Sequence, residues 1–390
     1  MIIKFTKKYL IYIMLFIPFL KPESLVVSDT ATNIFSLWRV ISALIVISVY
    51  IIKIIPNHPY SLSIIIIIYE VMLFLNSYCR YGKNCDFDNL VVQVLSVIVI
   101  TMLFEIGMRK NPKDFMNAIC TYGLIICSIS CITMFLFYPE GMTSVTDNYY
   151  LLGNDNASYF SIYVIEVIGI IRDKCFKNKI SCTTVLLYIL TLCAFIYTLS
   201  MAAIFVQIML GLSIFILQKN RIKKINPFVF ILTTIIISVG LVIFRIDRIF
   251  QAFLININKG ANLNGRGGIW KNAVDYIKES PILGYGHENV DVFYRKFWFD
   301  HLHNIFLDVT YTMGIVGFVM FIIIFILIAN KINKINSISL HNISILTIVL
   351  FLFLSMFDYY NSRYLIFGLY ITIYSIDRIQ MDNYRRAYIK

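Results

Sequence analysis

Apolar runs separated by short polar segments fill most of this 390-residue chain. A run of about 18 apolar residues is long enough to cross a bilayer as a helix. The pattern therefore predicts twelve membrane-spanning helices, at residues 8–20, 36–55, 60–78, 89–107, 114–138, 156–171, 181–199, 201–217, 227–244, 303–329, 341–357 and 363–376. The predicted topology depends most on the break at Ser200. If one tilted helix replaced the seventh and eighth spans, every later span would have the opposite orientation across the membrane.

One long polar segment, residues 245–302, interrupts this pattern and is dense in Arg, His and Trp. Its apolar residues from Ile269 to Ile277 recur at helical spacing, with charged and amide side chains on the other face. The spacing predicts a short amphipathic helix that begins after Asn264-Gly265, ends at Ser280-Pro281 and lies flat on the membrane surface.

The composition is that of a membrane protein. Hydrophobic residues make up 59% of the chain and charged residues 14%, whereas a soluble domain carries about 25% charged residues. Mean hydropathy is +0.77. We therefore predict an all-α polytopic membrane protein with a single transmembrane domain over residues 1–390, in which residues 245–302 form a large extracytoplasmic loop.

The charge distribution predicts the orientation. The formal net charge is +12, from 34 basic and 22 acidic residues, and most of the basic residues lie in alternate short loops between the predicted spans. Cytoplasmic loops carry such an excess of Lys and Arg, so both termini are predicted to be cytoplasmic and residues 245–302 to lie outside. The basic residues form no single stripe, so we predict no nucleic-acid partner.

Arg266 is a candidate phosphate ligand, since it stands at the start of the predicted amphipathic helix. The free backbone N–H groups and the positive dipole end of a helix would add to the charge of its guanidinium. The alternative is that Arg266 reaches to the phosphates of membrane lipids.

His303 and Asn304 open the tenth predicted span. Asn304, Asp308 and Thr312 share one helix face, and such a polar stripe is expected to face the bundle interior or a water-filled cleft. Histidine takes up protons near neutral pH, so His303 is a candidate general base; the alternative is a histidine that caps or anchors the helix. The loop histidines match no zinc-ligand spacing, so we predict no metal site.

A polar tripeptide, Asn154-Asp155-Asn156, precedes the sixth predicted span in a short loop. Asn156 is a candidate for hydrogen bonds to sugar hydroxyl groups. The alternative is that the tripeptide caps the following helix.

The polar loop and the span after it contain a run of motifs: Gly265-Arg266, Ile269-Trp270, Pro281, Gly284-Tyr285-Gly286, His303-Asn304, Leu307 and Gly314-Ile315-Val316-Gly317. This run resembles the core signature of the O-antigen polymerase and O-antigen ligase superfamily, whose members span the membrane many times and carry one large outer loop late in the chain. Asn154-Asp155-Asn156 resembles the asparagine-rich element that these proteins carry before a middle span.

The chain departs from the family pattern where the seventh and eighth spans meet. Many members have Ser-Arg-Gly there, whereas this chain has Ser200-Met201-Ala202. The arginine that would contact a lipid diphosphate is missing, and Arg245, Arg248 and Arg363, all near the predicted outer face, are candidates to replace it.

The resemblance implies an inverting glycosyltransferase with a GT-C-like membrane fold in the bacterial cytoplasmic membrane. Its donor would be an undecaprenyl-diphosphate-linked oligosaccharide, and it would need no cofactor and no metal. His303 and Arg266 would be catalytic, and Tyr285, Asn304, Asn156 and the three replacement arginines would bind substrate. Membrane lipid, a flippase and a chain-length regulator are the other expected partners.

The acceptor distinguishes the members of this superfamily. A polymerase of O-antigen or capsular polysaccharide joins carrier-linked repeat units, and a ligase transfers polymer to lipid A–core in lipopolysaccharide; the missing arginine favours the polymerase. A flippase for lipid-linked oligosaccharides is the alternative from another class. Its polar residues would be spread through the spans, whereas the charged residues inside the predicted spans are few, with the acids Glu70, Glu105 and Glu166 among them.

Overall fold

Helices make up nearly all of the regular structure in the computed structural model. The structure describes residues 7–22, 24, 28–144, 148–153, 155–177, 179–197, 200–217, 223–243, 266–299, 301–357 and 363–381. The elements, in chain order, are α1 (Lys7–Phe16), α2 (Asp29–Lys53), α3 (Ser61–Tyr81), α4 (Phe87–Lys110), α5 (Pro112–Phe137), β1 (Thr143–Ser144), β2 (Asn148–Tyr149), α6 (Asp155–Phe176), α7 (Cys182–Tyr197), α8 (Met201–Leu217), α9 (Pro227–Ile243), α10 (Arg266–Glu279), α11 (Val290–Phe297), α12 (Ile305–Asn333), α13 (Ile338–Leu354) and α14 (Arg363–Tyr374). The two short strands pair with each other in antiparallel fashion.

Each of the twelve predicted apolar runs coincides with one helix, namely α1 to α9 and α12 to α14. Within the described ranges, α2 to α5 and α12 are long and apolar enough to cross a membrane. The starts of several helices follow from the sequence: Pro112 and Pro227 occupy first helical positions, and the side chains of Ser28 and Ser337 accept backbone N–H groups as N-caps. The all-α polytopic membrane fold is confirmed; the number of crossings stays a prediction.

The break at Ser200 is confirmed as the boundary between two helices, α7 and α8, that pack against each other. The Tyr188 hydroxyl donates to the Gln207 carbonyl at 3.2 Å, and the Gln207 side chain donates to the Tyr188 carbonyl at 3.2 Å. In one continuous helix these residues would stand roughly 28 Å apart, at 1.5 Å per residue. The chain therefore reverses direction near Ser200.

Contacts between helix ends show which ends of α3, α4, α12 and α14 lie on the same side of the bundle. Lys331 near the end of α12 forms an ion pair with Asp377 just after α14, at 2.9 Å. Arg109 near the end of α4 donates to the carbonyl of His58, just before α3, at 2.6 Å. These contacts lie at one end of the bundle, and α10 and α11 lie at the other, which we call the loop end. The orientation of the two ends across the membrane stays a prediction.

Helix α10 confirms the predicted amphipathic helix but not its predicted surroundings. Its apolar face, with Trp270 at the centre, packs in a cluster with Val242 of α9, Phe297 of α11 and Tyr311 of α12. Trp270 is fully buried. Protein side chains therefore cover the centre of this face, where the prediction expected lipid; the position of the helix relative to the membrane surface stays a prediction.

Gly314 divides helix α12 into two pieces, since its φ of 59° and ψ of −155° are not helical. The second piece runs to Asn333, roughly 28 Å at 1.5 Å per residue, which by itself approaches the thickness of a bilayer core of about 30 Å. The first piece, residues 305–313, is buried except for the half-buried Thr310 and is called the α12 arm below. Residues 303–329, predicted as one span, thus contain the α12 arm and a separate spanning helix that meet at Gly314.

Candidate functional site

A pair of histidines lies just before the α12 arm. His301 Nε2 and His303 Nδ1 are 3.0 Å apart, within hydrogen-bond distance. His303 is 8% exposed and has a φ of 50°, in the left-handed region that non-glycine residues seldom adopt. This pairing could not be predicted from the sequence, because residues two apart do not face each other on a helix.

Asn304 fixes the start of the arm and is itself fully buried. Its side-chain oxygen accepts the backbone N–H groups of Phe306 and Leu307 at 3.0 and 3.2 Å, as an N-cap does. Its amide group donates to the Met356 carbonyl at 3.3 Å, beyond the end of α13. The amide also lies 3.5 Å from the Ser238 hydroxyl of α9. Asn304 therefore holds three helices together behind His303.

The polar stripe predicted on this helix is confirmed as an interior one. Asp308 and Thr312 are 6% and 5% exposed, and Tyr311 beside them is fully buried. A stripe of this kind would be costly in lipid, and the arm instead turns it towards protein.

The start of α10 lies near the histidine pair. The Trp270 indole donates to the carbonyl of Leu302, the residue between the two histidines, at 3.0 Å. Arg266 is the first residue of α10, one helical turn before Trp270 and on nearly the same face. The fold thus packs the helix that begins at Arg266 against the histidine segment.

The segment between α10 and α11 supplies partners for the broken backbone of α12. The N–H of Tyr285 donates to the Tyr311 carbonyl at 2.7 Å. The N–H of Gly286 donates to the Thr312 carbonyl, also at 2.7 Å. The two N–H groups after the break donate back to carbonyls of this segment, at 2.8 and 3.3 Å. An irregular backbone at membrane depth needs such internal partners.

Two glycines allow this close approach. Gly284 and Gly314 have φ values of 66° and 59°. A Cβ atom on Gly284 would lie 2.4 Å from the Tyr311 carbonyl oxygen, and one on Gly314 would lie 2.3 Å from the Ile282 carbonyl oxygen. Both motifs, Gly284-Tyr285-Gly286 and Gly314-Ile315-Val316-Gly317, are therefore parts of one backbone joint, which we call the glycine joint.

The end of α3 completes the glycine joint. The Asn76 side chain donates to the Leu283 carbonyl at 2.6 Å and to the Thr312 carbonyl at 3.1 Å, one on each side of the joint. The Ser77 hydroxyl accepts the backbone N–H of His287 at 2.8 Å. Sequence reasoning missed both residues; their only signal was two adjacent polar residues near the end of an apolar run.

A buried ion pair lies beside the joint. Lys296 Nζ of α11 is 2.7 Å from Glu288 Oε1, and only 2% of the Glu288 side chain is exposed. The Tyr81 hydroxyl donates to the same carboxylate at 2.8 Å, and the Tyr311 hydroxyl donates to its other oxygen. A buried carboxylate is stable only when its oxygens are paired in this way.

Tyr285 belongs to an aromatic cage around the Lys296 ammonium group. Its ring stacks on that of Tyr311, with centroids 5.0 Å apart, and the Lys296 nitrogen lies 4.3 Å from the Tyr285 centroid. The Tyr285 hydroxyl donates to Glu279 at 2.9 Å. Burial and this hydrogen bond raise the pKa of Tyr285 to about 12, so the hydroxyl remains a donor at physiological pH. These contacts attach the loop to α12.

We expect Lys296→Met to destabilise the protein by about 3 kcal/mol, because it leaves the Glu288 carboxylate buried without its cation. The matched control is Lys278→Met. Its ion pair with Asp275 is exposed, with 70% and 57% of the side chains accessible, and is worth about 0–1 kcal/mol. The measurement is the melting temperature of each purified variant in the same detergent. Equal melting temperatures for the two variants would contradict the structural role of the buried pair.

An apolar groove of about 290 Å³ opens between α9, α10 and α12. Its lining includes Val242, Ile277, Phe306 and Leu307, with Lys278 as its charged member. Ser238, the α9 residue 3.5 Å from the Asn304 amide, also lines the groove. The groove thus begins beside Asn304, and its apolar lining suits a hydrocarbon chain.

The remaining predicted site residues are only partly covered by the structure. Arg245 and Arg248 lie outside the described residues. Asn156 and Arg363 lie near the starts of α6 and α14, and only their backbone is described. Among the described residues, no three of His, Cys, Asp and Glu come together as metal ligands would.

These features define a multi-spanning membrane protein in which a late polar loop is joined to a broken helix beside a histidine pair. Residues 186–322 match the family model described as O-antigen ligase. The matched region runs from α7 into α12 and contains the glycine joint and both histidines, and it confirms the resemblance to the O-antigen polymerase and ligase superfamily. Members of that family are glycosyltransferase-like enzymes, either polymerases or ligases. Comparison with curated proteins gives no match.

Proposed function

We propose that this protein is a polysaccharide polymerase of the cytoplasmic membrane that joins undecaprenyl-diphosphate-linked repeat units on the outer face. The observation that carries the proposal is the position of the histidine pair. The pair lies next to the start of α10, whose first residue is Arg266, and close to an apolar groove. A lipid-linked sugar needs a base for the acceptor, a cation for the phosphate and an apolar channel for the lipid.

In the proposed reaction, a hydroxyl oxygen of the acceptor sugar attacks the anomeric carbon of the donor. The new C–O bond forms as the bond from that carbon to the lipid diphosphate breaks, so the configuration inverts. The hydroxyl proton passes to His303, and the diphosphate leaves with the bonding electrons. Arg266 stabilises the charge that develops on it, since arginine binds phosphate oxygens in a bidentate manner.

His301 orients the base in this proposal. When the proton on His303 Nδ1 is donated to His301 Nε2, across 3.0 Å, His303 Nε2 is left with the lone pair that accepts the acceptor proton. Asn304 is a positioning residue, because its buried side chain holds the start of the arm in place. The predicted substrate-binding roles of Asn156, Arg245, Arg248 and Arg363 remain part of the proposal.

Two buried acids inside the predicted spans, Glu105 and Glu166, favour an enzyme over a flippase. Glu105 accepts the Tyr50 hydroxyl at 2.8 Å and pairs with Arg109 at 2.8 Å. Glu166 accepts the side chain of Gln207 at 3.0 and 3.1 Å. These carboxylates join packed helices, whereas a transport pathway would present them to a water-filled cavity.

A deletion strain tests the proposed function, with surface polysaccharide separated by size. We expect the ladder of chain lengths to disappear while a single repeat unit stays attached, which is the result for a polymerase. Loss of all attached polymer, with long chains left on the lipid carrier, would assign the ligase reaction that the family description names. Unit-length carrier-linked sugar trapped on the cytoplasmic side would overturn the enzyme proposal in favour of a flippase.

A further inference from the structure

Three exposed aromatic side chains extend from α11 towards the histidine pair. Tyr294, Trp298 and Phe299 are 51%, 73% and 37% exposed. The rings of Tyr294 and Trp298 are 6.4 Å apart, and that of Phe299 is 5.4 Å from the His303 ring. We call these three residues the aromatic strip. One end of the strip is therefore in contact with the proposed base.

The backbone holds Trp298 in its exposed position. Trp298 ends α11 with a φ of 59°, and its N–H donates to the Tyr294 carbonyl at 2.7 Å. Glycine is the usual residue at such a left-handed helix end, because any side chain there costs free energy. Burial does not offset this cost, since most of the indole is exposed. An unburied tryptophan in a costly conformation is expected where its surface meets a ligand.

Charged groups on the same face argue against insertion of the strip into lipid. Asp291 and Arg295 are exposed, and their spacing puts them on the helix face of Tyr294 and Trp298. Charges of both signs beside the rings would be costly in hydrocarbon. The same groups suit a saccharide, because carboxylate and guanidinium groups hydrogen-bond to hydroxyls while the C–H faces of a sugar stack on aromatic rings.

We infer that the aromatic strip is a saccharide-binding subsite that guides the acceptor oligosaccharide to His303. The inference rests on the proposed function for the identity of the acceptor. The strip contacts the base through Phe299, whereas the apolar groove is linked to Asn304 through Ser238. Donor lipid and acceptor sugar would therefore approach the histidine pair by different routes.

Tryptophan fluorescence tests this subsite in the full-length protein in nanodiscs. In a Trp38→Phe background the remaining tryptophans are Trp270, which is fully buried, and Trp298, which is exposed. Iodide in solution should quench Trp298 alone. The probe ligand is the oligosaccharide released by mild acid from the strain's own surface polysaccharide. We expect it to protect Trp298 from iodide, and Tyr294→Ala to weaken its binding about tenfold, which corresponds to 1.4 kcal/mol.

Kinetics provide the second measurement. Trp298→Ala should raise the KM for the acceptor about tenfold with little change in kcat, because the strip binds sugar but does not take part in bond formation. Trp298→Phe should restore part of the affinity. The matched control is Ile282→Ala, which removes a side chain of similar exposure (63%) from the same loop and should leave the KM unchanged.

The outcomes separate the subsite from the proposed function. Quenching of Trp298 by brominated lipid, with no protection by oligosaccharide, would show a membrane anchor and overturn the subsite. An active wild-type enzyme whose acceptor KM is the same after Trp298→Ala would also overturn it, while the proposed function would stand. Protection by oligosaccharide in a protein without transfer activity would support the subsite and reject the proposed function.

Discussion

Replacing His303 with alanine is expected to lower the rate of sugar transfer by about 10²- to 10⁴-fold, the range that loss of a general base produces. The reason is that no other group would then take the proton from the acceptor hydroxyl at the position that His303 occupies. The amount of protein in the membrane should not change. The measurement is the initial rate with purified protein and lipid-linked repeat units, together with polymer length in cells.

Two further variants make the result specific. His303→Asn removes the base but keeps a residue that tolerates the left-handed backbone, where His303 has a φ of 50°, so it separates loss of chemistry from strain. His58→Asn is the matched control, since His58 also has a positive φ of 54° but is exposed at the far end of the bundle. Polymer of unchanged length after His303→Ala would contradict the assignment of His303 as the general base.

Replacing Gly314 with alanine is expected to prevent stable folding. The backbone at φ 59° and ψ −155° is accessible essentially only to glycine, and strain of this kind costs about 1–3 kcal/mol. The added Cβ would also lie 2.3 Å from the Ile282 carbonyl oxygen, so the hydrogen bonds of the glycine joint would have to separate. Several further kcal/mol would be lost if those backbone groups stayed unpaired in the membrane. We expect little folded protein by size-exclusion chromatography and a lower melting temperature.

Gly268→Ala is the matched control for this prediction. Gly268 lies inside α10, and a Cβ there would meet nothing within 4 Å. Alanine is favoured over glycine in a helix by about 1 kcal/mol, so this variant should be as stable as the wild type or more stable. A Gly314→Ala protein with a wild-type melting temperature would show that the two pieces of α12 do not depend on the joint.

The sequence predicted the helices well because each depends on local properties. Apolar runs of the right length became α1 to α9 and α12 to α14, and the 3.6-residue period of residues 269–277 became α10. The break at Ser200 was also confirmed. Charge in the loops predicted an orientation across the membrane, and that orientation stays a prediction.

Sequence reasoning did not predict the side chains that pack on the apolar face of α10. Periodicity shows which face of a helix is apolar, but lipid tails are as apolar as leucine side chains, so it does not show what covers that face. The structure covers the face around Trp270 with α9, α11 and α12. The break in α12 was not predicted either, because a glycine such as Gly314 is compatible with any apolar span. The role of Gly314 depends on its contact with Ile282, more than thirty positions earlier in the chain.

The sequence by itself determined that this is a helical membrane protein with one polar loop, and it predicted catalytic roles for Arg266 and His303. Only the tertiary structure decided that His301 lies 3.0 Å from His303, that Lys296 pairs with Glu288, and that Asn76 closes the glycine joint. The physical reason is the range of the interactions. Helices form from hydrogen bonds and apolar spacing within a few residues, whereas a site forms from side chains that folding brings together from distant segments.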